Sequence, residues 1–290
     1  MKLDYLSRFS NSLDAHALLS VCLFLLVWIG AWLPLAIPLA IALKWRPFTR
    51  AESHQKLPLL ASLYLIAPVV IMGLNRLLGT SFADYGLMGG RSLFNSVGIG
   101  WIVGLLGLIL MNGVQLGLGW IQVSDSPTNT DHAPQTNLRN VVAFATTKIV
   151  PVAILSLGIG FVEELIFRGF METQLEMRYA PWLSAAIVSL IFASLHLVWE
   201  VNKTRPQLPG LWLMGMVLVL ARWMDEGSLG VAWGLHAAWI FGISILDMTQ
   251  RFSLTQRVPA WITGLKGEPL AGVVGIVFLS LTGLVLWGFC

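Results

Sequence analysis

Charge is scarce in this sequence. Asp, Glu, Lys and Arg make up 11% of its 290 residues, against roughly 25% in an ordinary soluble domain, and no stretch is polar enough to form such a domain on its own. Cysteine is nearly absent. Cys22 and Cys290 both lie in apolar runs, which argues against a disulfide framework or a thiolate metal site. The 18 Lys and Arg leave a net charge of only +3 and are scattered between apolar runs as flanking anchors, so no basic patch points to a nucleic-acid partner. Internal repeats are missing as well. No cleavable leader is expected either, because the first apolar run starts near His16, is too long for an h-region and follows no small-residue cleavage pattern.

What the chain has in abundance is apolar side chain: 56% hydrophobic residues, 13 Trp and a mean hydropathy of +0.76. Backbone groups in lipid must be satisfied within their own segment, so such a composition implies an integral, multi-pass, all-α membrane helix bundle. Eight runs are candidate spans, at 17–43, 57–78, 93–122, 149–171, 181–201, 208–223, 229–247 and 270–290. Together they predict a single membrane domain over 1–290, with about eight transmembrane helices in the bilayer as its main partner. The sixth run is the weakest, being short for a span. Pro34, Pro38, Pro58 and Pro68 fall inside runs and predict kinks rather than breaks. The Ser/Thr/Asn/Asp/Pro mixture at 124–140 reads as a polar loop. Lys and Arg in alternate connections split 11 to 7, a small margin that puts the N-terminus outside the cytoplasm.

Against this background every ionisable residue inside a run is a functional candidate. At run ends the simpler account is snorkelling to the interface, which is the expectation for Arg222, Asp225, Glu226 and Asp247. The segment FVEELIFRGF is different. Glu164 and Arg168 are i and i+4 on one helix and can pair, while Glu163 sits about 100° away round the helix with no partner in its own segment. A carboxylate left unpaired in an apolar surround suits a general base. His196 in the fifth run and His236 in the seventh are each enclosed by apolar residues, and two histidines with a glutamate on three helices can converge inside a bundle. These are the groups that hydrolysis requires, and equally the groups that bind zinc with an open position, so Glu163, His196 and His236 are also a candidate zinc set. Composition and spacing leave both readings open.

The series Glu163-Glu164-x-x-x-Arg168, Phe192-x-x-x-His196 and His236 followed by three residues resembles the motifs of the CPBP family. These are the CAAX-protease and bacteriocin-processing (Abi) intramembrane proteases, which include Rce1-type prenyl proteases. The resemblance covers about 149–247. It implies a bundle whose polar cavity cleaves peptide bonds of membrane-associated substrates, prenylated or not. It further implies that Glu163 is the base, His196 its water-positioning partner and His236 an oxyanion donor, with Glu164, Arg168 and Phe192 in support. The chain departs from the family at Ile240, where a polar residue, usually Asn, is expected. Trp239 and Asn202 are candidate substitute donors, and Glu200, four residues after His196, is a candidate to orient it. Two rival readings follow: a non-catalytic membrane immunity or assembly factor on the same scaffold, favoured by Ile240, and a proton-coupled transporter using the same Glu and His residues.

Overall fold

The first apolar run has no charge between Ala17 and Ala42, and with nothing in lipid to compete for its backbone groups it forms one unbroken helix through Pro34 and Pro38. In this computed structural model, residues 17–46, 49, 52–123 and 143–288 are described. The polar stretch 124–140, Cys290 and the last two positions of the eighth run lie outside them. Helix α1 spans Ala17–Ala42 and α2 Ser53–Leu78. Glu52 and Gln55 satisfy each other's backbone N–H groups at the start of α2, and Gly79 closes its end in the left-handed region. Then follow α3 (Arg91–Gly117), α4 (Ala145–Glu176), α5 (Pro181–Val198), α6 (Val201–Met224) and α7 (Gly230–Thr249). These are the seven helices among the described residues that are long and apolar enough to cross a membrane.

Two expectations about the spans change. The sixth run, the weakest by composition, sits in a helix of 24 residues, because the polar residues before Leu208 extend it as helical turns. The eighth shrinks to α8, Val273–Trp287, which at 15 residues is shorter than the seven. Its N-terminal portion is irregular because Gly272 is extended and packed so tightly that an added Cβ would lie 2.6 Å from the Gly264 nitrogen. Among the described residues the bundle is otherwise helical, with one two-stranded antiparallel ribbon, β1 (Ile121–Val123) against β2 (Phe252–Leu254), unannounced by the sequence pattern. Leu26, Leu65, Leu106 and Leu190 are exposed on the outside of the bundle, as expected of lipid-facing positions.

Helix α7 is the spine of the site. It approaches α3 backbone to backbone, so that a Cβ on Gly234 would stand 2.0 Å from the carbonyl oxygen of Val97, and one on Gly100 2.2 Å from that of Val231. Small residues permit such contact where apolar burial gives helices no reason to associate in lipid. The N-terminus of α7 is pinned by Asp225, whose carboxylate accepts the Val231 N–H at 3.1 Å and the Ser96 hydroxyl of α3 at 2.7 Å. On its other side α7 is tied to α4 by the Trp233 indole, which donates to the Leu157 carbonyl at 2.8 Å. Glu226 and Asp247 are exposed, as expected of interface charges. Asp225 is not a snorkelling residue but a clamp between helices.

Candidate active site

Helix α4 changes its winding where the motif lies: Val150–Glu164 is α-helical and Leu165–Met171 is π-helical. Such wide turns are rare and recur at functional sites, since they re-aim the side chains around them. Every residue from Val162 to Met171 is buried, and Glu164 and Arg168 are both 0% exposed. The Arg168 guanidinium donates to Glu164 Oε1 at 3.0 Å and to the Gly215 carbonyl on α6 at 3.2 Å. The i,i+4 pair expected from the sequence is therefore present.

Glu163 and Glu164 keep separate partners, Tyr64 on α2 and Arg168 on α4, as the helical period suggested, yet both also reach His236. They grip one imidazole. His236 Nδ1 lies 2.7 Å from Glu164 Oε1, and its Nε2 lies 3.4 Å from Glu163 Oε2. The Glu164 oxygen that accepts from Arg168 also accepts from the imidazole, so Nδ1 carries its proton towards Glu164. Nε2 then faces a second carboxylate, that of Glu163.

His196 ends α5, in a turn of tighter 3₁₀ winding. Its Nδ1 donates to the Phe192 carbonyl at 2.8 Å. Because a carbonyl oxygen only accepts, this fixes the tautomer and leaves Nε2 a bare acceptor. Phe192, the other residue of that motif, is a hub. Its ring centroid lies 4.7 Å from that of His196 and 5.8 Å from that of His236, and the Arg168 guanidinium stacks 4.6 Å over it. One aromatic ring thus sets the spacing of both histidines and shields the buried cation.

Glu163 and His196 share the wall of a cavity of about 150 Å³ between α1, α2 and the end of α5, ringed by Trp28, Trp32, Tyr64 and Trp199. The indoles of Trp28 and Trp32 bind the Leu63 carbonyl at 2.9 Å and the Ser62 hydroxyl at 3.0 Å, which fixes α1 on α2 across the cavity mouth. Tyr64, absent from the motif series, donates its hydroxyl to Glu163 Oε1. A signal for it existed: it is one of four tyrosines, set in the apolar run ASLYLIAPVV, where a phenol needs a partner.

The remaining candidates separate from this centre. Trp239 is buried but faces a different cavity, of about 260 Å³, with its ring against Phe278 and its indole N–H unpartnered among the described residues. It is not a substitute donor here. Asn202 is exposed, and its carbonyl is bound by Lys266. Glu200 is half-buried, and the group that holds His196 Nδ1 is the Phe192 carbonyl. Ile240 is half-buried one turn beyond His236 and is not on the wall shared by Glu163 and His196. Arg222, expected to snorkel, is instead 7% exposed. It donates to the Arg168 carbonyl, to the Thr173 hydroxyl at 3.0 Å and to the Gly227 carbonyl at 3.1 Å, and it lies 3.6 Å from Glu172. It closes the π-helical segment from the α6 side.

The zinc question can be put to the donor set. Glu163 Oε2 and His236 Nε2 are spaced much like two ligands of one tetrahedral zinc, about 3.3 Å apart for bonds of about 2.0 Å, and both histidines have Nδ1 engaged as ligating imidazoles do. A third ligand does not join them: among the described residues no three His, Cys, Asp or Glu side chains come together as a metal-holding group. As placed, Glu163, His196 and His236 do not fit a three-ligand zinc site.

All three motifs fall within residues 145–242, and that segment matches the family model described as Type II CAAX prenyl endopeptidase Rce1-like. Residues 145–242 are similar to that family's domain. The match covers α4 to most of α7, so the helices that complete the cavity mouth, α1 and α2, lie outside it. No curated protein and no solved structure matches the chain. The Rce1-like segment supplies a CAAX-protease-type scaffold in an integral multi-pass membrane protein.

Proposed function

We propose that this protein is an intramembrane endopeptidase of the CAAX-protease type, which hydrolyses peptide bonds of membrane-associated substrates with a water activated by Glu163. The observation that carries the reading is the convergence of Glu163 and His196 on one cavity wall, with His236 Nε2 directed at Glu163. A water held there makes one O–H hydrogen bond to Glu163, which takes that proton on attack, and the other to the bare Nε2 of His196, which orients the water's lone pair toward a bound carbonyl. His236, oriented by Glu164, supplies an N–H to the developing oxyanion. Glu164 and Arg168 act through His236 and the shape of the π-helical segment, not on the substrate.

Cleavage of a peptide library by the purified protein in detergent, with and without prenyl groups, tests this. Glu163→Gln keeps the shape and removes the base, and is expected to abolish cleavage while the protein stays monodisperse. A Glu163→Gln protein that cleaves at the wild-type rate overturns the assignment. Ile240 favours a second reading, a non-catalytic immunity or assembly factor on the same scaffold, for which the wild-type protein is inert towards every peptide and co-purifies with a stoichiometric membrane partner.

A further inference from the structure

The peptidase reading leaves one vacancy in the chemistry. The oxyanion formed by attack on a carbonyl is ordinarily met by more than one donor, and position 240, one turn after His236, holds an isoleucine with none to give. The cavity wall carries a different donor. Tyr64 comes from α2, outside the Rce1-like segment, and its hydroxyl is bonded to Glu163 Oε1 while its side chain lines the same cavity as Glu163 and His196. Its neighbours hold it in place: Leu63 and Ser62, immediately before it, are bound by the two α1 indoles.

We propose that Tyr64 is a catalytic residue of this protein, its hydroxyl acting as the second oxyanion donor that position 240 does not provide; the proposal rests on the peptidase reading above. The physical reason is that charge moves during the reaction. Before attack, the negative charge is on Glu163, and the phenol donates to it. As the water oxygen bonds to the carbonyl carbon, Glu163 takes the water proton and becomes neutral, while the carbonyl π electrons become the lone pair of the oxyanion. The phenol then gains by turning from the neutral acid to the oxyanion beside it. When the C–N bond breaks, the oxyanion reforms the carbonyl, the proton on Glu163 passes to the departing amine nitrogen, and the phenol returns to the carboxylate. Tyr64 neither gains nor loses a proton over the cycle. Its bond is strongest in the transition state, and this is the kind of interaction that raises kcat and leaves KM alone.

A merely positioning role makes the opposite prediction, and the acidity of the phenol separates the two. Tyr64→Phe is expected to lower kcat by roughly 10²-fold with KM nearly unchanged, the usual effect of losing one oxyanion donor. Replacing Tyr64 with ring-fluorinated tyrosines makes the hydroxyl a stronger donor without changing its place, and these variants are expected to cleave several-fold faster at pH values where the phenol keeps its proton. If Tyr64 only orients Glu163, a stronger donor makes Glu163 a weaker base and the same variants slow down, which overturns the proposal. An unchanged rate in Tyr64→Phe overturns it as well, while leaving Glu163 as the base intact. A wild-type protein that cleaves no peptide overturns the peptidase reading and this proposal with it.

Discussion

Glu164 Oε1 stands 2.7 Å from His236 Nδ1 and 3.0 Å from Arg168 Nη1, so one buried oxygen orients the imidazole and anchors the guanidinium together. Glu164→Gln keeps an acceptor for Nδ1 but removes the charge that both groups share. Two effects are expected at once. Stability falls by about 3–5 kcal/mol, because Arg168 is left buried without its counter-ion, and kcat falls because His236 loses the carboxylate that orients it. Thermal unfolding in detergent alongside peptide cleavage checks both. A variant of wild-type stability shows that Arg168 finds its compensation elsewhere.

Arg222 gives a test that sequence reasoning would not have set. An interface charge can be replaced with little change, usually within about 0.5 kcal/mol. Arg222 is instead the cation nearest the fully buried Glu172. Arg222→Leu is expected to destabilise by about 3–5 kcal/mol, through its lost hydrogen bonds and the loss of the cation beside Glu172, and Arg222→Leu with Glu172→Leu to recover the part that belongs to the pair, since well-packed apolar residues can replace one. Glu226→Ala, at an exposed position, serves as the control. A double variant no more stable than Arg222→Leu shows that the loss comes from the hydrogen bonds to the Arg168 and Gly227 carbonyls rather than from charge.

The contrast between Arg168 and Arg222 shows how far the sequence reaches. Arg168 was legible because its partner sits four residues away on the same helix, and the helical period alone predicts that contact. Arg222 pairs across α6 and α4, and nothing local marks it. The two histidines were legible as buried polar groups in apolar runs, and the seven long helices followed from the solvent. The approach of both Glu163 and Glu164 to His236 was not legible, because it depends on how α7 packs against α4, which no spacing within one helix reports. Tyr64 escaped for a different reason: it bonds Glu163 from a helix 99 positions away, and only the accounting of buried hydroxyl groups hinted at it. The short α8 could not be told from a span by its composition, since what shortens it is the backbone packing of Gly264 and Gly272.

Metal dependence follows from the same geometry. With no third ligand beside Glu163 and His236 among the described residues, the purified protein is expected to hold far less than one equivalent of zinc and to cleave at an unchanged rate after a chelator. Elemental analysis and cleavage before and after chelation measure this. One zinc per chain, lost with activity and restored with it, would mean that His196 moves to join Glu163 and His236 around the ion, with Glu164 acting as the carboxylate that holds a ligating histidine.

The last prediction joins Ile240 to Tyr64. His236 and Ile240 are i and i+4 on α7, so an asparagine at 240 lies on the face that carries the imidazole. Where a second donor is already supplied by Tyr64, Ile240→Asn adds little, and wild-type turnover is expected to change by no more than about threefold, a modest fraction of what one oxyanion hydrogen bond is worth. Where Tyr64 has been replaced by Phe, the same substitution restores a missing donor, and kcat is expected to rise by about 10-fold or more with KM unchanged. The gain in one background and its absence in the other form a double-mutant cycle, whose coupling energy measures whether the two positions serve one oxyanion. Equal effects of Ile240→Asn in both backgrounds would place the two side chains in separate roles. A loss of activity in both would mark position 240 as packing, where an amide replaces an aliphatic side chain that α7 needs for its fit.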